Sequence, residues 1–271
     1  MRLIGYVLLL ILSVNGAAWA GGTEEDLYRG RTLVTGMREE TRIPGFATCL
    51  LDVLAKLSGD ARLLSDPLAL EIADKAADMV TAFTYKDRLE GIPIHDEQGS
   101  RDRPYDLTVT FDPAKVDAAL LTLDRKPWLT ERPRLGLFLA VTNGSTVYML
   151  ARDGVHGRDQ RESLSGASWQ IGLPVLLPSE DELSRNGLTI RSLPTAPPAR
   201  LEAVARGMGA DLALEGSLIW SKGRLGWEAR WRLFDDRGVQ IWEIKDVNFD
   251  DAFRDALRGS ALILSGGGRP Q

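Results

Sequence analysis

The run Gly209–Asp246, GADLALEGSLIWSKGRLGWEARWRLFDDRGVQIWEIKD, holds four of the chain's seven tryptophans and reads as three consecutive antiparallel strands. In its middle, Leu225, Trp227, Ala229, Trp231 and Leu233 alternate with Gly226, Glu228, Arg230 and Arg232. Side chains of a strand point to opposite faces with period two, so this spacing predicts one face in a core and one in water. Leu212, Leu214, Leu218 and Trp220 supply an apolar row on the preceding strand. The intervening segments, Ser221-Lys222-Gly223-Arg224 and Asp235-Asp236-Arg237-Gly238, each carry a glycine where a short hairpin favours positive φ. An aromatic row can also be a platform for a sugar or peptide. Tryptophans alternating with Leu and Ala, without the polar partners a pocket needs, read as core.

Working outward, Leu135–Val141 is apolar on both faces, as a central strand would be, and Asn143-Gly144 marks a hairpin into Thr146–Ala151. Arg158–Trp169 and Ala199–Met208 have helical spacing, Gly172–Pro178 is a short strand, and Phe249–Leu264 is an amphipathic closing helix. The first half reads β-α-α-β-β-α. Leu27–Gly36 is a strand, followed by a helix over Thr41–Gly59 with Pro44 in its first turn. A second helix is capped by Asp66, has Pro67 at its first position, and carries an apolar stripe through Phe83. Tyr85–Ile94 and Tyr105–Phe111 are strands, and Asp112-Pro113 opens a short helix. Pro127–Pro133 is the expected linker. The fold class expected is α+β: two small α/β-sandwich-like domains, residues 23–127 and 133–271, the second with a three-stranded antiparallel meander packed by helices.

Arg2, the apolar run Leu3–Val14 and the small-x-small site Ala18-Trp19-Ala20 describe a signal peptide over residues 1–20, cleaved after Ala20. The apolar run falls short of the ~20 residues a bilayer span takes, and no later segment is long and apolar enough. The expectation is export to the periplasm with no span after cleavage. A net charge of −5 with well-mixed signs offers no basic face for phosphates, which argues against nucleic-acid binding. Cys49, the only cysteine, falls in an apolar helical pattern and reads as a small hydrophobe.

Chemistry is sparse. Two histidines and one cysteine do not make a typical zinc site, and HExxH, paired CxxC, GxSxG, P-loop and GxGxxG patterns are missing. No catalytic, cofactor-binding or metal-binding residue is therefore assigned. The one polar cluster of interest is His95, Asp96, Glu97, Asp102 and Asp106. Its alternating oxygens resemble a calcium loop, but Gly99 stands at the fourth loop position and Leu107 at the twelfth, where a glutamate belongs. The two readings are a loop that binds a cation or contacts a partner, and a solvated connection whose aspartates and arginines pair with one another.

The segments Cys49–Asp60 (CLLDVLAKLSGD), Phe111-Asp112-Pro113, Gly172–Pro178 (GLPVLLP) and Gly209-Ala210-Asp211 resemble an exported bacterial family, domain-of-unknown-function family 2066. That resemblance implies a Gram-negative envelope protein and brings no activity with it. The second half, with a helix ending in Gly-Ala-Asp and a strand ending in Glu215-Gly216-Ser217, also resembles the N-terminal domain of TolB and CsgG-like periplasmic proteins. This second likeness implies an assembly or scaffold part that binds other proteins. The leading expectation is a non-enzymatic envelope module with other envelope proteins as partners. The alternatives are a binder of a small molecule, peptide or glycan in a cleft between the domains, and a hydrolase built on scattered carboxylates.

Overall fold

The structure, a computed structural model, describes residues 24–92 and 102–270. A four-residue helix α1 (Glu24–Leu27) leads into strand β1 (Arg29–Thr35) and the long helix α2 (Glu39–Ser58). Helix α3 (Pro67–Ala73) and a 3-10 turn (Ala76–Met79) connect to β2 (Val80–Asp87), β3 (Pro104–Phe111) and α4 (Pro113–Thr122). Both Asp66 and Asp112 cap their helices, each side chain accepting two backbone N–H groups ahead of a proline at the first helical position. The three strands form an antiparallel sheet in the order β1-β3-β2. Leu107, Val109 and Phe111 of β3 face Phe46, Leu50, Val53, Leu54 and Leu57 of α2 in one buried core.

Two details differ from the expectations. The second helix ends at Ala73, and Val80 and Phe83, expected on its stripe, lie in β2. The run Val80-Thr81-Ala82-Phe83-Thr84-Tyr85 is β-branched and aromatic, and pairing with β3 satisfies its backbone. Helix α2 begins at Glu39, so Pro44 stands one turn further in than its first turn.

The second half contains β4 (Leu135–Asn143), β5 (Thr146–Met149), α5 (Arg158–Ile171), β6 (Val175–Leu176), α6 (Glu180–Arg185), a 3-10 turn (Leu193–Thr195) and α7 (Pro198–Gly207). The meander β7 (Leu212–Ser221), β8 (Gly226–Asp235) and β9 (Gly238–Val247) and helix α8 (Phe249–Leu264) complete it. The sheet order is β5-β4-β7-β8-β9, with β6 beside the start of β4. The β4–β7 and β4–β6 pairs are parallel and the others antiparallel. The chain is thus of the α+β class, with both sheets backed by helices.

One face of the large sheet carries Leu137, Leu139, Val141, Leu214, Leu218, Trp227, Trp231 and Trp242 against α5 and α8. The other carries Phe138, Ala140, Ala213 and Phe234 against α6 and α7. Burial on both faces is why β4 reads as an unbroken apolar run. Of the alternating row on β8, Trp227, Ala229, Trp231 and Leu233 are buried, whereas Leu225 is 78% exposed. Leu225 stands in the hairpin at φ 53, taking the left-handed conformation expected of Gly223.

The two halves meet along α2, α5 and α8. Gly59 ends α2 at φ 70, and a Cβ there would stand 2.6 Å from the Ser265 Oγ, just beyond α8. Trp128 donates its backbone N–H to the Leu57 carbonyl at 2.6 Å. The buried Arg132 guanidinium donates to the carbonyls of Lys56 at 2.6 Å and Ile171 at 3.0 Å. The segment expected as a linker is therefore docked on both halves.

Candidate functional site

The seam between the halves gathers five titratable groups shifted by burial. Asp52 of α2 accepts a hydrogen bond from Gln170 of α5 at 2.9 Å, and burial raises its carboxyl above the ordinary range. One turn on, Lys56 donates to the carbonyls of Arg29 at 2.7 Å and Asp26 at 3.3 Å, with its ammonium 4.5 Å from the Trp169 ring. Burial lowers that ammonium to about 8 and the Arg132 guanidinium to about 10. On α8, burial lowers Arg258, and it lifts Asp255 to about 6 although the Trp242 indole N–H donates to it at 3.1 Å.

Clusters of shifted pKa values in a cleft are where chemistry is sought first. Here the cleft between Asp52, Lys56, Gln170 and Arg258 has about 10 Å³ of room, enough for one water. The alternative of a ligand cleft between the halves thus meets a closed seam, and the charges there cross-brace α2 to α5 and α8. Among the described residues no group of three or more His, Cys, Asp or Glu side chains is placed to hold a metal. Cys49 is fully buried, and burial pushes its thiol up to about 12, so it is packing rather than nucleophile.

Of the cluster singled out in the sequence, His95, Asp96 and Glu97 lie outside the described residues. Asp102 pairs with Arg38. Asp106 is not a loop residue: it stands four positions further on, inside β3, with Arg88 at 3.8 Å. Between them Arg103 pairs with Asp87 at 3.2 Å. Asp87, Asp102 and Asp106 therefore each face an arginine.

Sequence reasoning missed the outer edge of the large sheet. Strand β9 ends the order β5-β4-β7-β8-β9, and among the described residues its outer backbone groups have no strand beside them. Trp242 is buried, but Val239 and Ile241 on the opposite face are 44% and 53% exposed. Helices α6 and α7 cover that face over β4 and β7. The β8–β9 side is left with Arg230 and Glu243 exposed, and Arg232 lies at the boundary, paired with the buried Glu215 of β7. Toward its end β9 carries a bulge at its pairing with β8 between Trp227 and Ala229, where Asp246 takes φ 61. The flat, pairable part is therefore Gly238–Ile244. Its signal, alternation of Val239, Ile241 and Glu243 with Gln240, Trp242 and Ile244, was in the sequence; its place at the edge was not.

A family profile described as "Domain of unknown function (DUF8605)" matches residues 22–129, the part organised around the three-stranded sheet. The resemblance to family 2066 is not confirmed by that match. No curated protein matches the chain. Among solved structures, the LpoB C-terminal domain from Salmonella enterica, in selenomethionine form, is similar at 17% identity. The likeness covers 42% of this chain and 79% of that one, with a TM-score of 0.26. At that level the fold rests on the geometry above. No helix among the described residues is long and apolar enough to cross a membrane.

Proposed function

We propose that the chain is a non-enzymatic envelope protein that works by contact with other proteins, taking an extended segment of a partner along the outer edge of β9. The observation that carries this reading is the unpaired stretch Gly238–Ile244 with Val239 and Ile241 exposed beside it. An added strand draws affinity from main-chain hydrogen bonds and specificity from alternate side chains, and a long flat apolar edge left bare invites unwanted pairing. Export to the periplasm, with cleavage after Ala20, rests on residues 1–20, outside the described part. Membership of family 2066 and kinship with TolB-like scaffold domains remain part of this reading, on the motifs given above.

The test is site-specific crosslinking in periplasm of the mature chain, with a photo-reactive residue at position 239, in three backgrounds. Wild type and Asp96→Ala/Asp102→Ala are expected to crosslink the same partner, and Ile241→Lys, folded by circular dichroism, to lose it. Equal crosslinking by Ile241→Lys would overturn the edge. Loss in the double aspartate variant would move the contact to the His95–Asp106 region.

A further inference from the structure

Helices α6 and α7 both cover the sheet, and a groove of about 360 Å³ opens between them, lined by none of the seam residues above and by no residue of β9. That volume is at the lower end of the ~300–1,000 Å³ of small-ligand sites. Its floor is Val204 of α7 and Met208, which caps that helix; its rim is Arg185 and Asn186 at the end of α6 and Arg200 at the start of α7. The groove stays open because Ala203 and Gly207, one turn apart, line it with almost no side chain. Nothing in the fold demands that glycine: its φ is not in the left-handed region, and a Cβ at Gly207 would meet no atom within 4 Å. In a helix glycine is costlier than alanine by roughly 0.5–1 kcal/mol.

The charges at the rim are unequal. Glu182 is committed to Arg152 at 2.6 Å and to the capping box of Ser179. Arg185 pairs with Asp181 at 2.7 Å, but both are mostly exposed, and such pairs exchange partners at little cost. Arg200 donates to the Asn186 carbonyl and lies across the Asn186-Gly187 turn, where a Cβ on Gly187 would be 3.0 Å from its Nη2. Among the described residues no carboxylate is within ion-pair distance of it. An oriented guanidinium without an acid partner thus stands over an apolar floor with space beside it.

We propose that this groove binds a terminal carboxylate carried on a short apolar group. The carboxylate meets the free donors of Arg200, with Arg185 turning from Asp181 to join it, in the paired geometry guanidinium groups favour. The apolar group lies over Val204 and Met208 and fills the space above Gly207. Such a carboxylate occurs on a small organic acid and at the end of a peptide chain, and the groove chemistry is the same for both. The proposal is independent of the β9 edge.

Calorimetric titration of the folded chain tests it with four probes: hexanoate, hexanamide, acetyl-alanyl-leucine and its C-terminal amide. At least one acid is expected to saturate at millimolar concentration or below while its amide does not. Hexanoate alone would assign a small acid, and the dipeptide alone a chain end. Arg200→Gln should weaken the bound acid about tenfold or more, as loss of a charge-assisted hydrogen bond does. Gly207→Leu should abolish binding without lowering the melting temperature, which separates a filled groove from a damaged fold. Equal binding of acid and amide, unchanged affinity in either variant, or no saturation by any probe would overturn the proposal.

Discussion

Substituting Gly216 by alanine tests the packing of the large sheet at its tightest point. Gly216 of β7 is the cross-strand partner of Trp231 on β8, whose indole lies over it and is fully buried. An added Cβ would stand 2.2 Å and 2.4 Å from the Cζ3 and Cε3 atoms of that ring, and 3.1 Å from the Leu139 Cδ1. Carbon atoms rest about 3.5–4.0 Å apart, so the ring or the strand must yield by more than ~1 Å. Overpacking of this kind costs about 1–3 kcal/mol, a sizeable part of a total stability of roughly 5–15 kcal/mol. The assay is urea unfolding followed by tryptophan fluorescence and circular dichroism, for Gly216→Ala, Trp231→Leu and the double variant. Leucine in place of the indole removes the obstacle, so Gly216→Ala should cost less than about 0.5 kcal/mol in that background. The coupling energy would then lie in the ~0.5–3 kcal/mol range of residues in direct contact. Additive effects within about 0.5 kcal/mol would refute the contact. Trp231→Ala, which leaves a cavity as well, should cost ~3–5 kcal/mol and unfold this half first.

Leu225→Gly should stabilise the chain by up to ~1 kcal/mol in the same assay, because an exposed leucine at φ 53 carries left-handed strain that glycine lacks; an unchanged midpoint would count against that turn. Gly59→Ala combines a left-handed φ with an approach of 2.6 Å to Ser265, so it should cost more than about 1 kcal/mol and raise hydrogen exchange in both α2 and α8. If only α2 responds, the seam is looser than described. Burial lifts the Asp255 carboxyl to about 6, so the fold favours its protonated form. Its contribution to stability is complete below the ordinary carboxylate range and is lost as pH rises through about 6. The melting temperature of wild type relative to Asp255→Asn should therefore fall between about pH 5 and pH 7, and a constant difference would refute the shift.

Much of the fold was legible because period-two and helical spacing are local. The meander, the two-faced burial of β4 and the proline-led caps at Asp66 and Asp112 all follow from neighbours in the chain. Val80–Tyr85 misled because alanines and a phenylalanine continued the stripe of α3, and only pairing with β3 shows the strand. Leu225 misled for a related reason: alternation carries on arithmetically through a residue that the turn has already rotated out of the sheet. The functional surfaces were less legible. Whether Ile241 borders water depends on where the sheet stops, and Arg200 meets the α6 turn across fourteen residues of chain. The charged seam was invisible because Asp52, Gln170 and Arg258 come from three helices, none of which carries a motif.

The parallel pairing of β4 with β7 has a consequence for how the chain reaches this structure. Leu135 pairs with Leu212, 77 residues downstream, and β4 is apolar on both faces. Its other neighbours, β5 and β6, each cover only one end of it. A chain threaded from its N-terminus therefore delivers LGLFLAV long before the strand that closes over it exists. Long-range pairing of this kind slows folding and leaves a sticky β-former bare in the interval. The three-stranded first half can assemble from what has already emerged, while the large sheet waits for nearly the whole polypeptide. Over that interval the hazard is self-association through β4, and a holding chaperone would find its natural grip there.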